Sequence, residues 1–505
     1  MSLQLIFGLP TKGPDVRIPK PAPDLRKYWQ GEAADAFDKM IRLDRPDVQE
    51  AVRQINERYL PWDKIRFYGT PDGLTAEDLW AAVAQSRQSG RQPLPLSFST
   101  SEHKLYYLSP AKHQEWLHHI DKRGGGSLGI SANSALGDES ERYLVSSLME
   151  EAIASSQLEG ASTTRKIAKE MLRANRKPRT KAETMIVNNY RAICEVRELQ
   201  KEKLTPELLC HLQGVLTENT LDKPDAVGRF RRPDEPIRVV DSSSDEILHV
   251  PPAATELEWR IKEICDFANE IANPFVHPAV KASVLHFALG YVHPFVDGNG
   301  RTARAIFYWY MLKRDYWLFE YFPISTVLVR APAKYGRAYL YSEISGGDVT
   351  YFIRYSLSSI LSAMRGFYDY VAREEEAGRE AAKLLESFPG LNFRQRCLVH
   401  DALKNPALEC TFKSHQTKCH VTNPTARADL QGLVRLGLFQ ERKEGKARAF
   451  RPADNLRKVL HLPASVIAKP EKEKIPKSVA VTAPADKPLE GDNEPTPNQQ
   501  RDLFD

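Results

Sequence analysis

The sequence predicts a mainly α, multidomain protein: a helical core carrying one β-hairpin, an N-terminal accessory domain, and a small C-terminal domain of helices and a hairpin. Three observations predict this. The chain has 505 residues, more than the roughly 100–200 residues of one domain. Apolar residues recur at three- and four-residue spacing through most of its middle. Two changes of composition divide it, a glycine- and serine-rich run over 124–137 and a proline-rich stretch from about residue 460. Hydrophobic residues make up 42% and charged residues 27%; both values are near globular averages and exclude wholesale disorder or a fibrous repeat.

Residues 1–125 have a mixed pattern and form the expected accessory domain. Prolines 10, 14, 19, 21 and 23 crowd its start. After the glycine run, Asp138 reads as a helix N-cap, with Glu139 and Glu141 in a first turn that favours negative charge. Leu144, Leu148, Ala152 and Ser155 set the period of a helix over about 139–160. Further helices are predicted at 165–176, 183–200, 206–219, 253–271, 278–292 and 300–314, within a core of 137–375. Two short β-branched runs, Pro236–Val240 and Ile247–Val250, flank a polar turn at Asp241–Asp245 and predict a hairpin.

From Leu391 the pattern changes again. Helices are expected at Arg394–Leu403 and Ser414–Cys419. A third is capped by Asn423, with Pro424 at its first position, and ends at Gly437. A hairpin follows, Leu438–Arg442 and Ala447–Arg451, turning at Glu444-Gly445. Three helices and a wing over 388–455 describe a winged helix-turn-helix. Thr425, Arg427, Asp429, Gln431 and Arg435 fall on its third helix; Lys443, Lys446, Arg448 and Arg451 fall on the wing. Such a unit serves DNA or a protein partner equally well, since Asp429 and Glu444 dilute its positive charge. Cys410, His415, Cys419 and His420 lie close in sequence, but their spacing fits no zinc pattern. Residues 460–505 hold one aromatic, Phe504, and too little apolar surface to offset chain entropy, so a disordered tail is expected.

The formal net charge of +5 is too small for this length to imply nucleic acid or membrane by itself. Six cysteines are too sparse for a disulfide framework and fit a reducing compartment. The most apolar stretch, Val284–Val292, falls far short of the ~20 residues of a membrane span. Met1–Pro10 lacks the layout of a secretory signal. The expectation is a soluble, cytoplasmic protein with no membrane partner.

The densest chemistry lies at His293-Pro294-Phe295-Val296-Asp297-Gly298-Asn299-Gly300-Arg301-Thr302-Ala303-Arg304. An apolar helix ends near His293 and Pro294 stops it. Gly298-Asn299-Gly300 can turn backbone N–H groups inward, ahead of a helix expected from Arg304 to Leu312. That is an anion nest at a helix N-terminus. Arg301 and Arg304, three apart, share a face and suggest several phosphate groups. Asp297 beside them would repel bare phosphate, so a divalent metal such as Mg²⁺ should bridge the two. His293 is the group that can take a proton near neutral pH.

This segment matches, position for position, HPFx[D/E]GNGRxxR, and the chain thereby resembles the Fic family. The similarity extends to His277-Pro278 and His286 upstream and to Tyr308-Trp309-Tyr310 downstream, about the middle half of the chain. The resemblance implies a protein adenylyltransferase that moves AMP from ATP to a Ser, Thr or Tyr hydroxyl of a target protein. His293 would deprotonate the hydroxyl and Asp297 would hold Mg²⁺. Gly298, Asn299 and Gly300, with Thr302 and Ala303 in the same turn, would cradle phosphate, the Asn299 side chain lying near the α-phosphate. Arg301 and Arg304 would clamp the β- and γ-phosphates. Phe295 would anchor the loop. The hairpin at Ile237, Arg238, Val239 and Val240 resembles the family's flap, where a strand edge registers a target segment. Tyr335 is placed near adenine.

Ser155-Ser156-Gln157-Leu158-Glu159-Gly160 resembles a second Fic signature, [S/T]xxxE[G/N], of an inhibitory helix upstream in the same chain. It implies that Ser155, Glu159 and Gly160 form a brake in which Glu159 pairs with Arg304. In some relatives the same glutamate supports removal of AMP. Gln500-Arg501-Asp502-Leu503-Phe504 resembles the bacterial sliding-clamp-binding motif, with Arg501 in place of leucine. The partners to be expected are a target protein, a second copy of the chain, DNA through the winged helix, and a sliding clamp through the tail. The competing reading is a DNA-binding regulator in which the Fic core senses nucleotide.

Overall fold

The computed structural model describes residues 18–124, 140–241, 245–270, 275–387, 390–404, 408–419, 421–444 and 447–460. The expected cap at Asp138, the glycine run after Gly124, and the tail with Gln500, Asp502, Leu503 and Phe504 lie outside them. The chain divides into two compact units, Met1–Val371 and Ala372–Asp505. Mainly helical structure is found, as the periodicity predicts.

The first unit opens with helices α1 (Leu25–Tyr28), α2 (Ala33–Leu43), α3 (Pro46–Arg58), α4 (Trp62–Ile65) and α5 (Ala76–Gln88). They close on a core of their own, including Val48, Val52, Ile55, Ile65, Leu79 and Val83. Helix α5 starts where Thr75 and Asp78 cap each other's backbone. An antiparallel pair follows, β1 (Gln92–Ser97) and β2 (Lys104–Tyr107), then α6 (Ala111–Gly124). Leu94, Leu96, Leu105, Leu117 and Ile120 from these elements share the core of the central helices. Residues 92–124 thus contribute to the same core as the central helices.

The central helices are α7 (Ser140–Leu158), α8 (Arg165–Arg173), α9 (Lys181–Glu198), α10 (Pro206–Thr217), α11 (Leu257–Ala268), α12 (Pro278–Val292), α13 (Asn299–Lys313), α14 (Ser325–Leu328), α15 (Pro332–Ile344) and α16 (Thr350–Ser387). Helix α12 is apolar nearly all round and is buried from Ala279 to Val292, as such a helix must be. Helix α13 is buried from Asn299 to Leu312. These two helices carry the loop that bears the chemistry.

Between α10 and α11, β3 (Val239–Val240) and β4 (Ile247–His249) pair antiparallel. The hairpin is shorter than predicted. Pro236 has no N–H to give a ladder, and the register shifts between Val239 and Val240.

The second unit contains α17 (Phe393–Lys404), β5 (Cys410–Thr411), α18 (Phe412–Cys419), α19 (Asn423–Arg435), β6 (Phe439–Glu444), β7 (Ala447–Pro452) and α20 (Leu456–Val459). Its antiparallel sheet has the order β5-β7-β6. Leu398, Val399, Leu430, Leu433, Phe439 and Phe450 fill its core. Helix α19 is capped by Thr422, one residue before the expected Asn423. Asp429 does not face out to dilute surface charge. It is 2% exposed and takes hydrogen bonds from Arg394 Nε at 2.7 Å and Asn392 Nδ2 at 2.7 Å, with His415 Nε2 at 3.1 Å. His415 is thereby committed to a structural pair. No helix among the described residues is long and apolar enough to cross a membrane.

Candidate active site

The loop between α12 and α13 is held from several sides. His293 caps α12 in the left-handed region, at φ 49°, and is 2% exposed. Its Nδ1 lies 3.2 Å from the Gly290 carbonyl. A carbonyl only accepts, so Nδ1 carries the hydrogen and Nε2 keeps its lone pair. Burial first, then the nearby His249 charge, pushes the His293 pKa down to about 3. The ring is therefore neutral at pH 7 and able to take a proton.

Arg231 grips the backbone of this corner. Its Nε donates to the His293 carbonyl at 2.8 Å, and its N–H donates to the Pro294 carbonyl at 2.9 Å. Phe295 is fully buried and stacks on Phe230 at 5.2 Å. The Asn299 side chain accepts from Phe295 N and donates to Phe295 O, both at 2.9 Å. That clasp closes the loop and leaves the amide one N–H and one oxygen lone pair for a further partner. Gln213 Nε2 donates to the Asp297 carbonyl at 3.0 Å. Asp297 Oδ1 accepts from Gly298 N and, at 3.5 Å, from Arg301. Its Oδ2 has no hydrogen bond among the described residues, and the side chain is 30% exposed.

Helix α13 begins at Asn299, one residue before the helix predicted at 300–314 and five before Arg304, with Gly298 as its N-cap at φ 84°. Of Gly298, Asn299 and Gly300, only Gly298 is left-handed; a Cβ on it would meet Thr217 Cγ2 at 2.7 Å. The first-turn N–H groups of α13 have no partners within the helix. Beside them are buried polar atoms without a hydrogen bond: Arg301 Nε, Thr302 Oγ1 and Arg304 Nη1. Orphaned donors at a helix N-terminus fit an anionic guest. Ala303 is fully buried and packs inward.

The two arginines turn to different neighbours. Arg301 Nη1 donates to Leu216 O on α10 at 2.8 Å. Arg304 turns to α7: Nε donates to Ser155 Oγ at 2.8 Å, and Nη2 donates to Ser155 O at 2.9 Å and Glu159 Oε1 at 3.0 Å. Gly300 lets Glu159 approach, since a Cβ there would stand 2.3 Å from Glu159 Oε1. Gly160, at φ 88°, turns the chain away after α7. Burial pushes the Glu159 carboxyl up, opposed by Arg304 and Arg301. Burial works against the Arg304 charge, but Glu159, Tyr335 and Glu151 together outweigh it and hold the guanidinium pKa above its usual value. The two shifts pull in opposite senses; a guanidinium that keeps its proton at 3.0 Å holds the pair ionic.

Ile237 is half-buried, Arg238 exposed, and Val239 and Val240 buried. Tyr335 is 1% exposed, with its hydroxyl 2.7 Å from His286 Nε2, so it lies deep in the core beside Arg304 rather than on an open face. Three residues that sequence reasoning passed over hold the site. They are Arg231, Gln213 and His249, the last with Nδ1 2.7 Å from Glu343 Oε2 and Nε2 2.8 Å from Tyr291 O. No local pattern marks them, because each acts on a segment far away in sequence.

His113, His286 and His293 are all pushed down to about 3, chiefly by burial. Between pH ~6.5 and ~3 the unfolded chain binds more protons at these sites than the fold does, so stability falls as pH drops below ~6.5. Each histidine contributes up to about 1.4 kcal/mol per pH unit. The thermal midpoint is expected to fall steadily from pH 7 to pH 5. A midpoint unchanged over that range would show that these rings are already charged or solvated in the fold.

Residues 203–311 match the family described as Fic/DOC. A protein adenylyltransferase Fic of Nematostella vectensis is 32% identical over 107 residues, 21% of this chain and 23% of that protein. The protein adenylyltransferase fic-1 of Caenorhabditis elegans is 32% identical over 96 residues, 19% of this chain and 17% of that protein. The chain thus spans less than a quarter of the length of these relatives. Among solved structures, a Fic family protein from Desulfovibrio desulfuricans G20 aligns with a TM-score of 0.45 at 17% identity, over 68% of this chain and 94% of that one. Fic-1 of C. elegans aligns at 0.44 and 15%, over 69% and 96%. Residues 203–311 of this chain are a Fic/DOC-family domain.

Proposed function

We propose that this protein is an adenylyltransferase that moves AMP from ATP to a hydroxyl of a target protein, and to itself, under restraint by Glu159. The observation that carries the reading is a neutral, buried His293 with a free Nε2 beside a helix N-terminus whose buried arginine donors lack partners. His293 Nε2 takes the proton of the attacking hydroxyl. The hydroxyl oxygen bonds to the α-phosphorus, the bond from that phosphorus to the bridging oxygen breaks, and pyrophosphate leaves with the electron pair. The N–H groups of Asn299 and Gly300, with Arg301, hold the phosphate oxygens. Asp297, whose Oδ2 has no hydrogen bond among the described residues, is the residue that would hold a Mg²⁺ ion. When bound, the ion neutralises phosphate charge. The hairpin with Ile237, Arg238, Val239 and Val240 receives the target segment, and Tyr335 backs the nucleotide side.

Glu159 occupies Arg304, so the guanidinium is not available to a γ-phosphate. Glu151 supports the same restraint from two turns earlier on α7. It is buried and accepts from Tyr308 Oη at 2.7 Å, Ser325 N at 2.9 Å and Ser325 Oγ, which fastens α7 to α13 and α14. Glu151→Gln replaces one acceptor oxygen with a donor and is expected to raise AMP transfer about 5-fold, the effect of ~1 kcal/mol of coupling. Combined with Glu159→Gly it should add nothing. Equal transfer by Glu151→Gln and wild type, beside an active Glu159→Gly, would remove Glu151 from the restraint.

The test of the function is the fate of two labels. Label at the α-phosphate of ATP is expected on protein hydroxyls; label at the γ-phosphate is expected in pyrophosphate. Label from neither position, together with sequence-specific DNA binding by the C-terminal unit read as a winged helix, would instead support a nucleotide-sensing regulator.

A further inference from the structure

The chain's modest net charge conceals a concentrated one. Residues 165–181 read RKIAKEMLRANRKPRTK, eight cations and one anion, so this segment alone exceeds the net charge of the entire protein. Helix α8 turns Ala168 and Met171 inward against Ile153 and Ile186. Arg165, Lys166 and Arg173 are exposed, as are Lys177, Arg179 and Lys181 in the segment that follows.

Part of this charge is internally balanced. Arg165 and Lys169 meet Glu150, Arg176 meets Glu183 at 2.8 Å, Lys181 meets Asp222 at 2.8 Å, and Lys166 lies 3.8 Å from Glu170. Arg173, Lys177 and Arg179 make no close side-chain ion pair among the described residues, though Arg179 shares the field of Glu183 with Arg176. Three exposed cations without a close ion pair thus stand within seven residues, amid five more. Chance packing does not need them there, and each costs repulsion with its neighbours.

We infer that this face docks the phosphate backbone of duplex nucleic acid. The chemistry of the face selects that partner. No Phe, Trp or Tyr lies between 165 and 181, and single strands are gripped by stacking on aromatics. Ile167, 46% exposed, is the one large apolar side chain exposed in the segment; a protein interface needs a wider apolar centre. Four of the eight cations are arginines, whose planar forks match phosphate oxygens. A nine-residue helix such as α8 is roughly 13 Å long. A duplex offers roughly eight phosphate charges over that length. Contact of this kind reads no sequence. The inference is independent of AMP transfer and of any binding by the C-terminal unit.

The test uses the full chain and a variant with Arg173→Gln, Lys177→Gln and Arg179→Gln. None of these residues belongs to the proposed catalytic machinery, and all three side chains are exposed. Binding to a mixed-sequence duplex of ~20 base pairs is followed by fluorescence anisotropy from 50 to 200 mM salt. Removal of three phosphate contacts should make the salt dependence shallower by about 2.7 in log–log slope. The wild-type advantage over the variant should therefore be roughly 40-fold larger at 50 mM than at 200 mM. The same salt slope for both proteins would overturn the inference, because any duplex binding would then lie elsewhere. No duplex binding at low salt would also overturn it, as would tighter binding to single-stranded DNA or to polyglutamate than to the duplex. A thermal midpoint of the variant equal to that of wild type shows that the comparison is between folded proteins.

Discussion

Glu159→Gly is expected to raise AMP transfer about 5–150-fold, the range of a coupling of 1–3 kcal/mol. The direction follows from geometry. Arg304 spends Nε and Nη2 on Ser155 and Glu159, and only Nη1 is left without a partner. Loss of the carboxylate leaves a guanidinium held by Ser155, with Tyr335 beside it. It also clears the space 2.3 Å from the position a Gly300 Cβ would take, so the first turn of α13 becomes open to phosphate. The measurement is self-labelling by ATP carrying label at the α-phosphate, with equal amounts of each protein. Equal rates for the two proteins would show that Glu159 does not restrain the reaction.

His293→Ala, introduced into the Glu159→Gly chain, is expected to lower transfer by about 10²–10⁴-fold, the usual contribution of a positioned general base. Initial rates on the target hydroxyl read this directly. The pH profile should separate the histidine from an ordinary one. Because burial holds its pKa near 3, His293 stays neutral through mildly acidic pH. Transfer by Glu159→Gly should therefore show no acid limb near pH 6.5. A limb at pH 6.5 that disappears with His293→Ala would mean that the ring is far more solvated than its 2% exposure allows.

Much of the fold is legible because its causes are local. Helix α12 is readable from an apolar run closed by His293-Pro294, and its predicted bounds of 278–292 coincide with Pro278–Val292. Strands β6 and β7 are readable as two short runs on either side of a polar break in the sequence. The loop between α12 and α13 is readable because its residues are consecutive. Errors arise where a neighbour far along the chain decides. Asp429 has the spacing of a surface residue on α19, yet Arg394 and His415 draw it inside. The Asn299 clasp on the Phe295 backbone is a second task for that side chain which no motif displays. Arg231 reaches His293 across 62 positions, and Glu151 reaches Ser325 across 174. Neither pairing leaves a period or a motif for a single sequence to display. The basic run at 165–181 is fully visible in the sequence, but a net charge summed over 505 residues averages it away.

The relative affinity for ATP and ADP tests the central claim most directly, since the two nucleotides differ by the γ-phosphate that Arg304 is proposed to hold. By calorimetric titration, wild type is expected to bind ATP and ADP almost equally, because Glu159 occupies Arg304. Glu159→Gly is expected to bind ATP more tightly than ADP. An ATP-to-ADP preference that is the same in both proteins would contradict the claim.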